Sequence, residues 1–294
     1  MATTIDFDRS GQRGVETEVA RKLCREVLGH MRQTRGEKYR GWLLGLASAQ
    51  LLFPEKHAAE LLLAVYAAMR DIDDCIDGDA PLPEGYVSGA EYARKTYSFL
   101  EHPRQPENRA EYLLGYAITL MSAGKFDIIE EIALVLQSLR FDALRRNPNS
   151  PRIFLEDVLK KYSYRRDIPG VVRACLKLSR EHEKGIEADD LAELGEAVQI
   201  GYNLRDVYRD WEAGYCNIPL EALRIPELSV IGESGKLPEV LVRRWKRGGA
   251  ARGKKLLAQY RKSTRKLPLF RRTRLGLYIA FERPALHYLD LAVR

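Results

Sequence analysis

Apolar residues recur at three- and four-residue spacing along almost the whole of this 294-residue chain, and that periodicity confines it to a helical fold. The pattern runs through Val15 to Met31, Trp42 to Leu52, Ala58 to Ile76, Tyr92 to Leu100, Ala110 to Ala123 and Phe126 to Leu144. It continues through Phe154 to Tyr164, Val171 to Leu178, Leu191 to Trp211, Leu237 to Lys266 and Arg274 to Val293. Proline and glycine separate these segments, at Pro54, Pro81 to Gly85, Pro103 to Pro106, Pro148 to Pro151, Pro219 and Pro268. Strand-like alternation is scarce, and no repeat period or long linker interrupts the chain. The reading is all-α, one helical domain over residues 1–294 with about ten helices, residues 1–14 forming a tail. The Gly78-to-Gly89 stretch is the expected mobile loop.

Several functional classes are set aside at once. No run of 18 uncharged apolar residues exists, so no membrane span is expected. The first 14 residues lack the apolar core of a secretory signal, which makes the cytoplasm the expected compartment. Cys24, Cys75, Cys175 and Cys216 are far apart, and the five histidines, His287 among them, have no metal spacing. The net charge of +7 is concentrated late, in Arg243 to Arg247 and Lys262 to Arg274. A solvated helix face, an anionic membrane surface or a phosphorylated substrate all explain it. No nucleic-acid-binding motif supports the remaining possibility.

The chemistry is concentrated in two acidic segments. Arg70-Asp71-Ile72-Asp73-Asp74-Cys75-Ile76-Asp77 closes one apolar helix, and Asp73 and Asp77, four apart, share a face. Leu204-Arg205-Asp206-Val207-Tyr208-Arg209-Asp210 closes another, with Asp206 and Asp210 in the same relation. Like charges at that spacing destabilise a helix, and acids at a helix C-terminus oppose its dipole. A bound cation offsets both costs. Four carboxylates across a cavity suit Mg²⁺ ions gripping a diphosphate, whose leaving-group charge they neutralise as a carbon–oxygen bond ionises.

With these segments in view, the chain resembles the squalene/phytoene synthase family. Ala64 to Asp77 is similar to the family's first Asp-rich helix and Gln199 to Pro219 to its second. Leu46-Ala47-Ser48 to Leu52-Phe53-Pro54, Tyr162-Ser163-Tyr164 and Arg283 to Asp290 resemble three further elements, in order, over about residues 37 to 290. The resemblance implies a helical bundle around an apolar channel, Mg²⁺ dependence, and head-to-head coupling of two farnesyl or geranylgeranyl diphosphates. It implies metal-binding roles for Asp73, Asp77, Asp206 and Asp210. Tyr66, Arg70 and Arg283 would meet the diphosphate, with Arg205 bracing the second motif. Tyr162 and Gln199 would line the channel near the reacting carbons. Squalene-type members use NADPH, but no dinucleotide fingerprint indicates it here.

The chain also departs from the family pattern. Tyr202 stands at the family's metal-binding Asn, and Asn203 follows it, three before Asp206, as a substitute ligand. Asn217 stands at a family Tyr. Arg165-Arg166-Asp167-Ile168-Pro169-Gly170 replaces a stretch of small residues, and Arg35 to Trp42 stands where a phosphate-binding element is expected. Three reactions therefore stay open: head-to-head coupling, cyclisation of one diphosphate, and prenyl transfer to another acceptor. Leu136, Leu139, Phe154 and Leu159 are the candidate channel floor. Peripheral membrane contact through Arg243 to Arg274 is a further expectation. Oligomeric state has no reading in the sequence.

Overall fold

The protein is described from a computed structural model, which describes residues 17–35, 53, 55–182, 185–265 and 271–294. The expected helix from Trp42 to Leu52 and the segment 36–42 lie outside the described residues. The twelve described α-helices are α1 (Thr17–Arg35), α2 (Lys56–Asp77), α3 (Gly89–Glu101), α4 (Arg109–Gly124), α5 (Ile129–Arg145) and α6 (Glu156–Leu159). Then come α7 (Ile168–Leu178), α8 (Ala192–Ala213), α9 (Ile225–Ser234), α10 (Glu239–Thr264), α11 (Arg271–Leu277) and α12 (Arg283–Leu291). No strand occurs among the described residues; one isolated bridge joins Arg152 to Tyr215.

Two helices organise the packing. The first is α2, which lies against α1, α3, α4 and α5, and the second is α8, which lies against α7, α10 and α12. The sequence explains the choice. Leu61, Ile72, Leu113 and Leu114 are wholly buried where α2 meets α4, each burial worth roughly 1.5–3 kcal/mol. On α8, Gly201 lies against Ala285 of α12, and Gly249 and Gly253 of α10 lie close to Leu204 and Leu289. Small residues at these points let helices approach closely. Helix α5 packs on α2, α3 and α7, and α7 packs on α8, so the two hubs enclose a common space.

Local signals fix the ends. Asn108 caps α4 by accepting the Glu111 amide at 2.9 Å, and Ser88 caps α3 by accepting the Glu91 amide at 3.1 Å. Asn108 also donates to the Tyr86 hydroxyl at 2.6 Å, which tethers the 78–88 connection expected to be mobile. Two segments leave the α-helical pattern. Lys160–Tyr164 and Tyr278–Glu282 are π-helical turns, each running into a neighbouring helix. The helix α9 goes beyond the sequence-based expectation, and none of its residues is buried.

Candidate active site

The hubs α2 and α8 are built alike. Each has 22 residues, carries an acid pair in its closing turns and stops at a left-handed glycine, Gly78 (φ 77°) or Gly214 (φ 99°). Their C-terminal carbonyls would repel one another, and a single side chain reconciles them. Arg146, immediately after α5, donates to Ile76 O at 2.7 Å and Asp77 O at 2.9 Å, and to Ala213 O at 3.1 Å. A guanidinium at a helix C-terminus is favoured by the dipole, and here one guanidinium serves two helices. Gly214 cannot carry a side chain: a Cβ there would fall 2.6 Å from Asn147 C and from Pro148 N.

The two acid pairs line one cavity of about 900 Å³. Each of the four carboxylates has a neighbour that fixes it. Arg70 Nη1 meets Asp73 Oδ2 at 2.6 Å, and Tyr215 Oη donates to Asp77 Oδ1 at 2.9 Å. Arg205 Nε donates to Asp206 Oδ1 at 2.9 Å, and Asn217 Nδ2 donates to Asp210 Oδ2 at 2.8 Å. Arg145, at the end of α5, donates to Asn217 Oδ1 at 2.9 Å and to Cys216 O at 3.1 Å, so the α5 terminus also positions the residues that hold Asp210. Arg70 has a second partner in Asp74, at 2.8 Å from its Nε. Arg70 thus pairs with Asp74 while it also lines the cavity.

Negative charge is concentrated on the cavity wall. Burial and the adjacent Asp206 push the Asp210 carboxyl up to about 7, against the pull of Arg145 and the Asn217 amide. Asp142 of α5 and Asp167 before α7 also line the wall. Burial raises Asp142, and Arg145 only partly offsets it. Burial, then Asp142 and Asp73, push Asp167 up to about 7. Asp142 acts on Asp210 and is itself acted on by Asp73, and so lies electrically between the two motifs.

Most expected site residues meet at this cavity: Tyr66, Arg70, Gln199, Tyr202, Arg205 and Arg283 line it with the four aspartates. Arg205 lies over the rings of Tyr202 and Tyr288, at 4.7 and 4.5 Å from their centroids, which braces the guanidinium against Asp206. Two expected site residues lie elsewhere. Tyr162 is not among the residues that line this cavity; its ring stacks on Phe141 at 5.4 Å, under Arg166. The π turn holds an extra residue, and Tyr164 is the buried tyrosine, donating to Asn217 O at 2.9 Å. Asn203 is likewise absent from this wall. It accepts from Gln199 Nε2 at 3.3 Å and lines a separate cavity of about 440 Å³ between α8 and α10, so it is not placed to join the acids. Of the floor candidates, only Leu139 lines the large cavity; Phe154 packs edge-on against Phe141.

The sequence did not single out Asp142, Tyr215 or Tyr288, and His287 had only its lack of metal spacing. All four line the cavity. Asp142 sits in an ordinary amphipathic helix, and Tyr215, Tyr288 and His287 belong to no spacing pattern. An acid on the apolar face of α5 was the one available signal.

Among the described residues no three His, Cys, Asp or Glu side chains are gathered into a preformed ligand cage. The donor set nevertheless fits Mg²⁺. It is made of hard carboxylate oxygens on opposing helices, and Asp210, raised by burial and by the adjacent Asp206, is held by a neutral amide rather than by a cation. Mg²⁺ characteristically takes one or two carboxylates and completes its shell with water and phosphate oxygens, which a facing pair of acids allows.

Comparisons with known proteins agree with this architecture. No curated protein matches the chain. Among solved structures, the crystal structure of squalene synthase HpnC from Alicyclobacillus acidocaldarius superposes with a TM-score of 0.60, at 14% identity, over 95% of each chain. That likeness establishes the all-α isoprenoid-synthase fold. The squalene/phytoene synthase family model matches residues 46–290, which spans both acid pairs, the cavity they line and the closing helix α12, and the chain belongs to the squalene/phytoene synthase family.

Proposed function

We propose that this protein is a Mg²⁺-dependent prenyltransferase that couples two isoprenyl diphosphates head to head. The family supports prenyl transfer from isoprenyl diphosphates in general; the coupling of farnesyl or geranylgeranyl units is our reading. One observation carries it: two acid pairs and three arginines, Arg70, Arg205 and Arg283, converge on one cavity of about 900 Å³. That volume lies at the upper end of the roughly 300–1,000 Å³ of small-molecule sites, which favours two chains over one.

Asp73 and Asp77 on α2 and Asp206 and Asp210 on α8 would hold the metal. Bound Mg²⁺ would supply Lewis acidity to the departing diphosphate. Arg70 and Arg283 would meet phosphate oxygens, for which a guanidinium fork is matched. Tyr66, Tyr202 and Tyr288 present aromatic rings to the cavity, and an aromatic face steadies a carbocation. Ile132, Val135, Leu139 and Val171 give the apolar wall that receives the chains and excludes water.

Purified protein incubated with Mg²⁺ and geranyl, farnesyl or geranylgeranyl diphosphate, with and without NADPH, tests the reading. A product with twice the substrate's carbons is expected, and a product with the substrate's own carbon count replaces coupling with cyclisation. Asp73→Asn and Asp206→Asn should each lower turnover by about 10²-fold or more, since each removes charge from the leaving-group site. Unchanged turnover in both would remove the metal assignment.

A further inference from the structure

We infer that Asp167 is a catalytic base, which ends the reaction by taking a proton from the carbocation and releasing an alkene without a reductant. The inference rests on the function proposed above and adds the fate of its cation. Three observations support it.

First, Asp167 carries its carboxyl to the wall of the acid-lined cavity, beside Ile168, Gly170, Val171 and Ala174 of α7. These are the small and apolar residues expected around a reacting hydrocarbon. An acid there has no packing value, because a carboxylate among apolar groups is costly to keep.

Second, Asp167 is the residue that caps the start of α7, yet its carboxyl makes no capping hydrogen bond to that helix. No arginine or lysine forms an ion pair with the carboxyl among the described residues, whereas Asp73 and Asp206 each have an adjacent arginine. The Gln199 side chain hydrogen-bonds to it and also accepts from the Ile168 amide at 3.4 Å. Gln199 also lines the cavity and is held at its other end by Asn203, at 3.3 Å. The amide beside the acid is thus fixed from α8.

Third, burial, with the charge of Asp142 beside it, raises the Asp167 carboxyl above the usual carboxylate range, which suits a group that must take a proton. The groups that face it are Asp73 and Arg70 from α2, Asp142 from α5 and Gln199 from α8.

The chemistry balances without a co-reactant. After the carbon–oxygen bond breaks, diphosphate carries away the bonding pair and leaves a carbocation. A C–H bond next to the cationic carbon then breaks. Its electron pair becomes the new carbon–carbon π bond, and the proton passes to an Asp167 Oδ. The neutral acid returns that proton to water when the product leaves.

Asp167→Asn keeps the shape and removes the base; Asp167→Ala removes both. Each is assayed with Mg²⁺ and farnesyl or geranylgeranyl diphosphate, without NADPH, for released diphosphate and for products by mass. The expected result is diphosphate release within about threefold of wild type, because the base acts after ionisation. Alkene should fall by about 10²-fold, with water-captured alcohol in its place. Asp167→Glu should restore part of the alkene. An unchanged product spectrum in both Asp167→Asn and Asp167→Ala, with diphosphate still released, overturns this inference alone. No diphosphate release by wild type overturns the proposed function and this inference with it. Loss of release in both variants makes Asp167 part of the ionisation machinery and overturns the role assigned here.

Discussion

At the scale of single residues, the site is a set of carboxylates whose neighbours differ. Asp73 and Asp206 lean on arginines, while Asp77 and Asp210 lean on neutral donors, Tyr215 and Asn217. Asp167 has no ion pair and shares only the Gln199 amide, and its titration should show in stability. Its folded pKa, about 7, lies above the usual carboxylate value near 4, so between those pH values the folded state holds more protons than the unfolded state. Stability contributed by the neutral acid is therefore complete near pH 4 and declines as pH rises towards 7. Thermal melts of wild type and Asp167→Asn across pH 4–8 should converge at the acid end, with the variant gaining on wild type towards neutrality. Parallel profiles would remove the shift. Arg70→Met makes the opposite kind of change. It strips the guanidinium from Asp73 and from the buried Asp74, and should cost about 3 kcal/mol or more in a denaturant titration.

At the scale of elements, periodicity located most helices, because each of them buries one face and the burial writes the spacing. The acid motifs were legible for a different reason: like charges four apart at a helix end carry a visible local cost. What escaped were features that local spacing does not encode. Helix α9 buries nothing, so no apolar stripe marks it; only Pro226 at its start and Gly235 (φ 66°) at its end do so. The π turns at 160–164 and 278–282 arise from packing, and the first separates the roles of Tyr162 and Tyr164. Asp142 and Asp167 lie 25 positions apart on different elements, and only the approach of α5 to α7 makes them neighbours. The end of α8 gives a direct test. Gly214→Ala forces a left-handed residue and a clash with the 147–148 backbone, and should cost at least about 1–3 kcal/mol in chemical denaturation. The same change at Gly235, where a Cβ meets open space, carries the conformational cost alone and should be milder.

At the scale of the whole molecule, one helical framework carries the acids, the arginines and the apolar wall. No described helix is long and apolar enough to cross a membrane. The late basic segment is partly internal to this framework: Arg244 pairs with Glu227 at 2.7 Å, and Arg252 with Glu156 at 2.6 Å. Binding should therefore be read by the entire fold. A non-hydrolysable isoprenyl diphosphate analogue at about 100 times its Kd should add about 2.7 kcal/mol, near 5 °C in Tm, in the presence of Mg²⁺. The shift should vanish on adding EDTA and in Asp73→Asn. A shift of equal size without metal would mean that the arginines alone hold the diphosphate.

Arg146 gives the architecture a further meaning. It ties Ile76 and Asp77 at the end of one acid-bearing helix to Ala213 at the end of the other. In mechanical language it is the rivet of a pair of callipers: the arms are free to differ in sequence, but the gauge between their tips is set at one point. A chain built this way can rebuild its cavity walls while the spacing between the two acid pairs stays constant.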